Sequence, residues 1–331
     1  KTLGGILMAA ALLSSPFAHA VNCDDYPHWD CSDPKLKIID AFIESHANKN
    51  YVAAFDWDGT LYDENITLKK GDPNEGEQRS GQSVWHLWGA NENIFPLFET
   101  QDRQYADNVV MRDDFVEGKT DISPEGYSKF NFISMTEAGL TPKEMYEAES
   151  RYMQSYKPED YAYLPMLDVF QQLKNKGYQV WVITGSNPYF VNNIMNYLDE
   201  TLGYNLVAKG CESSSFDLEN CNIMGNGAKL SSDGKFSFVY DNRFVKNSGG
   251  QRFVVDGEGK EVAINNYLLP RAKEPMVMYV GNSGGDFEAM EYVLSQEDVD
   301  VLGISVNPRG TLEDLVTRYE RAQQMVVLEM G

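Results

Sequence analysis

The sequence predicts an α/β fold built on a doubly wound parallel sheet. Three apolar runs carry this prediction, over residues 51–55, 179–183 and 276–280. Each run has the length of a buried strand and is followed by turn-forming residues. Helical patterns separate the runs along the chain, and strands that alternate with helices form parallel sheets.

The remaining elements follow from local signals. Thr141 is predicted to cap a helix, because a proline and an early glutamate follow it. Apolar residues at helical spacing predict further helices over 35–47, 166–176, 188–198 and 259–268, after Asp286 and from about 311. Short strands are predicted over 206–208 and 299–306. Turns at 233–234 and 249–250 predict hairpins within 227–256 that project from the core.

The chain has 331 residues, a length that favours about two domains. Residues 63–165 interrupt the alternation of strands and helices with an aromatic-rich, mainly helical pattern. We therefore predict an inserted helical domain over 63–165 and an α/β core formed by 21–62 and 166–331.

The first twenty residues are predicted to be a secretory signal peptide. Lys1 precedes an apolar stretch over 3–13, and Ala18-His19-Ala20 has small residues at the cleavage positions. A membrane anchor is the alternative, but the stretch is too short to span a bilayer comfortably. We expect cleavage after Ala20, an exported protein that is periplasmic or secreted, and no membrane span in the mature chain.

The four cysteines agree with export. They form two close pairs, the first within a leader over 21–34 that is expected to be exposed. Three disulfide connectivities are possible, and proximity favours Cys23 with Cys31 and Cys211 with Cys221. A metal site is the alternative, but the chain has only four histidines and no C-x-x-C spacing. The net charge of −22 argues against nucleic acid or an anionic membrane as a partner.

Polar residues follow the three apolar runs: Asp56 and Asp58, then Thr184, then Asn282 and Asp286. The carboxyl ends of parallel strands meet at one edge, where open α/β sheets bind their ligands. Paired carboxylates at this edge predict a hydrolytic or phosphoryl-transfer centre with a metal ion. For Asp56 and Asp58 taken alone, the alternative is an acidic turn that only caps the strand.

The order of these motifs resembles the haloacid dehalogenase superfamily of phosphatases. The matching motifs are D-x-D-G-T-L at 56–61, Thr184-Gly185 after a strand, Gly259-Lys260 at the start of a helix and G-N-S-x-x-D at 281–286. The resemblance covers about 50–62 and 166–310, and it implies a Rossmann-like core. The insert resembles the helical type 1 cap of phosphoserine-phosphatase-like members.

The resemblance implies a role for each motif residue. Asp56 is the expected nucleophile, which forms an aspartyl-phosphate, and Asp58 is the expected general acid and base. Thr184 and the backbone N–H groups that follow it are expected to bind phosphate oxygens. Lys260 is the expected catalytic lysine, with Lys246 as the alternative. The expected substrate- or phosphate-binding residues are Trp57, Gly185, Ser186, Asn187 and Glu64.

Mg²⁺ is the cofactor that the resemblance implies, with Asp56, Asp58, Asn282 and Asp286 as its ligands. Asn282 departs from the family pattern, which has an acid at this position. An amide oxygen is a neutral ligand, so we expect weaker metal binding, and a site that has lost its activity is an alternative.

The cap is expected to select the substrate. Tyr62, Asp63 and Glu64 lie where cap and core meet, and they either bind a substrate amine or only form the hinge. Four aromatic residues are predicted to form the core of the cap or, alternatively, a wall for a quaternary amine: Trp85, Trp88, Phe95 and Phe98.

We therefore expect an exported, Mg²⁺-dependent phosphomonoesterase that acts on a small phosphorylated metabolite rather than on a protein. Phosphate transfer to an acceptor other than water is one alternative, and a non-catalytic binding protein with a degenerate site is another. A dehalogenase is disfavoured, because it has no leaving oxygen for Asp58 to protonate.

Overall fold

A computed structural model describes residues 20–69, 75–96, 137–212, 218–246, 253–319 and 324–330. The strands in these ranges are β1 (Val52–Phe55), β2 (Ile66–Thr67), β3 (Gln78–Arg79), β4 (Gln179–Ile183), β5 (Ile223–Met224), β6 (Ala228–Leu230), β7 (Phe236–Tyr240), β8 (Met276–Gly281), β9 (Leu302–Val306) and β10 (Met325–Leu328). Six of them form one parallel sheet in the order β10-β9-β8-β1-β4-β5. The predicted α/β fold with a parallel sheet is confirmed.

Helices flank this sheet and connect its strands. They are α1 (Pro34–Ser45), α2 (Gly81–Asn91), α3 (Pro142–Tyr156), α4 (Leu164–Asn175), α5 (Pro188–Leu202), α6 (Glu258–Ala263), α7 (Leu269–Ala272), α8 (Phe287–Leu294) and α9 (Leu312–Tyr319). A π-helical turn (Ile264–Leu268) joins α6 to α7. Four short 3₁₀ turns complete the helical elements: Cys23–Asp25, Pro158–Asp160, Leu218–Asn220 and Gly284–Asp286.

Strand β1 lies at the centre of the sheet, between β4 and β8. Phe55 pairs with Val182 on one side and with Val280 on the other. Every residue of β1 and of β8 is buried. Uninterrupted apolar strands of this kind are expected where helices cover both faces of a parallel sheet.

The predicted strand over 206–208 is wrong. The N–H groups of Leu206 and Val207 donate to the carboxylate of Asp199 at 2.7 and 3.1 Å, and their carbonyls accept from Lys174 Nζ at 3.0 and 2.9 Å. Because side chains satisfy this backbone, it has no need of a neighbouring strand. The position beside β4 belongs to β5 instead, and the edge strand β10 was not predicted.

Most of the leader over 21–34 is exposed as expected, but Tyr26 is buried and Trp29 is partly buried. The Tyr26 hydroxyl donates to Asp40 at 3.0 Å, and Trp29 Nε1 donates to the carbonyl of Pro165 at 2.7 Å. The cysteines pair as proximity favoured: the Cα atoms are 5.8 Å apart for Cys23–Cys31 and 5.7 Å apart for Cys211–Cys221. The signal-peptide prediction falls on residues 1–19, which lie outside the described ranges.

The described part of the predicted cap consists of the β2–β3 hairpin and helices α2 and α3. Thr141 caps α3 as predicted: its hydroxyl accepts from Glu144 N at 3.2 Å, and its own N–H donates to the Glu144 carboxylate at 2.8 Å. Trp85 packs against Trp88, Phe95 and Tyr152 with ring centroids 5.5 to 5.8 Å apart.

These contacts favour the interpretation of the aromatic residues as a cap core. Phe98 lies outside the described residues. The domain boundaries stay a prediction, and no helix in the described ranges is long and apolar enough to cross a membrane.

Candidate active site

The topology of the sheet assembles the candidate site, because β8, β1 and β4 are neighbours in space although they are distant in sequence. Asp56 N donates to Val280 O at 2.8 Å, and Thr184 N donates to Met224 O at 2.9 Å. The residues that follow the three strands therefore leave the sheet at the same edge. This is the arrangement that the strand ends predict.

Lys260 connects two of these strand ends. Its ammonium group is 2.8 Å from Asp56 Oδ1 and 2.6 Å from Asp286 Oδ1. Lys260 is 2 % exposed, Asp56 6 % and Asp286 0 %, so the three charges interact away from water. Lys246, the alternative lysine, is exposed and does not line the cavity that Lys260 and Asp56 line.

Burial and ion pairing act on these three groups in opposite directions. Burial and the charge of Asp286 raise the pKa of Asp56, while Lys260 opposes the rise. Burial alone would raise the pKa of Asp286, but the ion pair with Lys260 holds it below its ordinary value. Burial disfavours the charged form of Lys260, yet Asp286 and Asp56 raise its pKa well above the ordinary value. The outcome differs between the two acids: Asp286 stays ionised beside Lys260, whereas the pKa of Asp56 rises to about 8.

Asp286 is fully engaged by protein partners. Tyr279 donates its hydroxyl to Oδ1 at 2.7 Å, and the backbone N–H groups of Asn282 and Ser283 donate to Oδ2 at 2.9 and 3.1 Å. Its predicted role as a metal ligand stays a prediction. The geometry favours a different role, in which Asp286 anchors Lys260. Sequence reasoning missed Tyr279, which looks like any other buried residue of an apolar strand.

Asp58 lies in the turn after β1, two residues beyond Asp56. Ser186 donates its hydroxyl to Asp58 Oδ2 at 2.6 Å, which joins the first strand end to the loop after β4. Gly59 has φ +74°, and a Cβ there would come within 1.8 Å of Asn282 Nδ2. Glycine is therefore required at this position both by the left-handed backbone and by the close approach of the amide.

Three of the predicted binding residues have side chains that do not line the cavity. Trp57 is fully buried and stacks on Tyr62, with ring centroids 5.3 Å apart. Asn187 caps α5 by accepting from Tyr189 N at 2.8 Å. The Thr184 hydroxyl is buried and accepts from Ser186 N at 2.9 Å. Their predicted binding roles stay predictions. The contacts above give each of the three side chains a structural role that requires no ligand.

A cavity of about 410 Å³ lies at this edge of the sheet. Core and cap residues line it together: Asp56, Asp58, Glu64, Ser80, Gln82, Ser83, His86, Gly185, Ser186, Asp256, Lys260, Asn282, Ser283 and Arg309. Sequence reasoning missed Ser80, Gln82, Ser83 and His86 of the cap, because polar residues on a helix normally indicate a solvated face. It also missed Arg309, which follows β9 outside every motif.

Glu64 connects Arg309 to the last motif. Arg309 donates to Glu64 Oε2, and Asn282 Nδ2 donates to Glu64 Oε1 at 3.3 Å. The oxygen of the Asn282 amide is buried and accepts no hydrogen bond from the described residues. Among the residues that the structure describes, no group of three or more His, Cys, Asp or Glu side chains is placed to hold a metal ion.

The chain passes between core and cap at two adjacent crossings. Asp63 N donates to Tyr161 O at 2.8 Å, and Tyr163 N donates to Leu61 O at 3.0 Å. The Asp63 carboxylate accepts from Asn65 N at 2.9 Å. These contacts favour the hinge interpretation for Asp63. Glu64 differs, because it reaches into the cavity.

Comparison with known proteins agrees with this architecture. The sequence model of the haloacid dehalogenase-like hydrolase family matches residues 52–293. A conserved, functionally unknown protein from Anaerococcus prevotii is similar in structure, with a TM-score of 0.51, 14% identity, and coverage of 90% of this chain and 97% of that chain. At this identity the similarity supports the fold alone. No curated protein matches the sequence.

Two further solved structures align over most of the chain. One is a phosphoserine phosphohydrolase-like protein from Francisella tularensis, with 14% identity, 84% and 94% of the two chains covered and a TM-score of 0.42. The other is cytosolic 5'-nucleotidase IIIB bound to cytidine, with 11% identity, 93% and 92% covered and a TM-score of 0.45. Similarities this distant carry no argument about the substrate.

Proposed function

Because the chain belongs to the haloacid dehalogenase-like hydrolase family, we propose that it hydrolyses a small phosphate monoester through an aspartyl-phosphate on Asp56. The observation that carries this proposal is the ion pair between Asp56 and the buried Lys260, at the wall of a cavity that cap residues also line. A buried acid held beside a cation at a strand end has the chemistry of a nucleophile for phosphorus.

In the first step, an oxygen of Asp56 attacks the phosphorus atom of the ester. The bond from phosphorus to the leaving oxygen breaks as the aspartyl-phosphate forms. Lys260, 2.8 Å from Asp56 Oδ1, opposes the rise that burial causes in the pKa of the nucleophile, and it offsets the charge of the incoming phosphate. This local cation matters because the chain as a whole carries a net charge of −22.

Asp58 is the proposed general acid and base. It gives a proton to the leaving oxygen in the first step and takes one from water in the second, as that water attacks phosphorus and restores Asp56. The Ser186 hydroxyl, which donates to Asp58 at 2.6 Å, holds the carboxylate in position. The sum of the two steps is an alcohol and inorganic phosphate from an ester and water.

Mg²⁺ is the proposed cofactor, and members of this superfamily generally use it. Asp56, a backbone oxygen of Asp58 and the amide oxygen of Asn282 would hold it. The buried Asn282 Oδ1, which lacks a hydrogen-bond donor among the described residues, fits this role. When bound, the ion supplies positive charge that stabilises the transferring phosphoryl group.

The cap supports a small substrate rather than a protein. Ser80, Gln82, Ser83 and His86 from the cap line the cavity of about 410 Å³ together with the core residues. We also propose that the protein is exported. The two disulfides support an oxidising compartment, since such bonds are rare in reducing ones.

The test is a panel of phosphate monoesters assayed with Mg²⁺ and with a chelator. We expect hydrolysis that the chelator abolishes, and we expect Asp56→Asn to lower the turnover of the best ester by more than about 10³-fold. Asp300→Asn, an exposed control, should leave the rate unchanged.

The covalent step can be checked separately. Enzyme quenched with acid during turnover should carry phosphate on Asp56 by mass spectrometry. Full activity of Asp56→Asn, or no hydrolysis of any ester by the wild type, would contradict the proposal.

A further inference from the structure

Asn282 poses an orientation problem that an acid would not pose. A carboxylate presents an oxygen on both sides, whereas an amide presents one oxygen and one NH₂ group of almost the same shape. Only the oxygen can face a cation. An asparagine at this position therefore needs a partner that distinguishes the two ends of its amide.

Glu64 has the chemistry of that partner. An ionised carboxylate only accepts hydrogen bonds, so it can hold the NH₂ end of an amide and not the oxygen end. Asn282 Nδ2 points to Glu64 Oε1 at 3.3 Å. Asn282 itself is 2 % exposed and lines the cavity, and its oxygen is the end left without a hydrogen bond from the described residues.

Arg309 holds Glu64 in turn. Its guanidinium group donates to Glu64 Oε2, the oxygen that Asn282 does not use. The backbone N–H of Arg309 donates to the carbonyl of Asn282 at 3.1 Å, so the loop after β9 is tied to the same residue. The tight approach of the Asn282 NH₂ group to Gly59 leaves that group little freedom to turn away.

We infer that Glu64 is a positioning residue that turns the amide oxygen of Asn282 toward the magnesium site, and that Arg309 fixes Glu64 for this purpose. The inference rests on the proposed function, because it concerns the same metal. It assigns Glu64 a role other than the substrate binding expected from the sequence. It also explains how an amide serves where the family has an acid.

The experiment measures Mg²⁺ binding by titration calorimetry, with no substrate present. Glu64→Gln should weaken binding roughly 10- to 100-fold, because glutamine offers either end of its own amide and no longer selects the NH₂ of Asn282. Glu291→Gln is the matched control, since Glu291 also pairs with an arginine, Arg318, but outside the site. It should bind Mg²⁺ as the wild type does. Equal melting temperatures without Mg²⁺ establish that the variants fold.

The decisive measurement repeats the change in the Asn282→Asp background. In that background the side chain at position 282 has an oxygen at both ends and needs no partner to select one, so replacing Glu64 with glutamine removes only a negative charge and should cost clearly less Mg²⁺ affinity than it does in the wild-type background. A loss that shrinks between the two backgrounds supports the inference. The same loss in both backgrounds, or no loss in the wild-type background, overturns it while the magnesium site stands. Absence of Mg²⁺ binding by the wild type overturns the magnesium site and the inference together.

Discussion

Two pairs of buried carboxyl groups differ in how the protein neutralises them. In the core, Asp56 and Asp286 share the ammonium group of Lys260. In the cap, Glu137 and Glu149 are equally buried, at 0 % and 1 % exposed, but they contact no lysine or arginine among the described residues. The difference shows that one buried lysine is enough to keep a neighbouring buried carboxyl group, Asp286, ionised.

Amide groups are the partners of the cap acids. Glu137 accepts from the side chain of Asn187, and Glu149 accepts from that of Asn193, both on or next to α5. Burial raises the pKa of Glu149 to about 8, and burial together with Glu149 raises that of Glu137 well above its ordinary value. His86, 3.4 Å from Glu137, adds no charge, because burial lowers its pKa to about 3. Near neutral pH the cap acids therefore hold protons. In the core, Asp286 stays ionised beside Lys260, while burial and the charge of Asp286 raise the pKa of Asp56 to about 8.

The largest effect is expected from removing the cation of the core. Lys260→Met leaves the ionised Asp286 buried without its cation, which should lower the free energy of unfolding by about 3–5 kcal/mol and abolish hydrolysis. Urea unfolding followed by circular dichroism measures the first effect. Lys176→Met is the control, since Lys176 pairs with Glu44 near the surface, and it should cost less than about 1 kcal/mol. Equal stability of the two variants would contradict the comparison.

The cap acids should behave in the opposite way. In the folded chain the pKa of Glu149 is about 8, above its ordinary 4.5, so the folded state holds a proton that the unfolded state loses between these values. The free energy of unfolding therefore falls as pH rises through this window. Glu149→Gln should be more stable than the wild type at pH 8 by on the order of 2–4 kcal/mol, and about equal to it at pH 5.

Unfolding curves of the wild type and of Glu149→Gln at both pH values measure this difference in stability. Groups that titrate equally in the two proteins cancel in the difference. Glu147→Gln on the same helix is the control, because Glu147 is exposed and pairs with Lys143 across one helical turn. It should show no such pH dependence. A Glu149→Gln variant that is less stable than the wild type at pH 8 would show that the cap carboxylate is ionised there.

The smallest effect is expected from removing the Tyr279 hydroxyl, which donates to Asp286 in the core. Tyr279→Phe removes a donor to an ionised acceptor, Asp286, and should cost about 2 kcal/mol. Tyr178→Phe removes a donor to the neutral carbonyl of Ile43 and should cost about 1 kcal/mol. The ratio of the two values, from the same denaturant series, tests whether Asp286 carries its charge. Equal costs would indicate that it does not.

Local patterns predicted the elements that build the site. The apolar runs that became β1, β4 and β8 are short and uninterrupted, because both faces of each strand are covered. The prediction over 206–208 failed for a reason outside any local window. Its backbone is satisfied by Asp199 and by Lys174, which lies more than thirty residues away in sequence.

The site shows the same division. The order of the motifs was enough to select Asp56, Asp58 and Lys260, which the structure brings to one cavity. It was not enough to find Tyr279 or Arg309. The pairing of Arg309 with Glu64 joins residues 245 positions apart, and neither lies in a pattern that indicates the other.

The sequence by itself determined the alternation of strands and helices, the polar residues at the strand ends and the cysteine pairs, because each depends on neighbouring residues along the chain. Only the tertiary structure decided which side-chain oxygens at the strand ends already accept hydrogen bonds from other parts of the protein. Burial removes competing water, so partners from distant loops settle whether a carboxyl is charged, as in Asp286, and which end of an amide faces the cavity, as in Asn282.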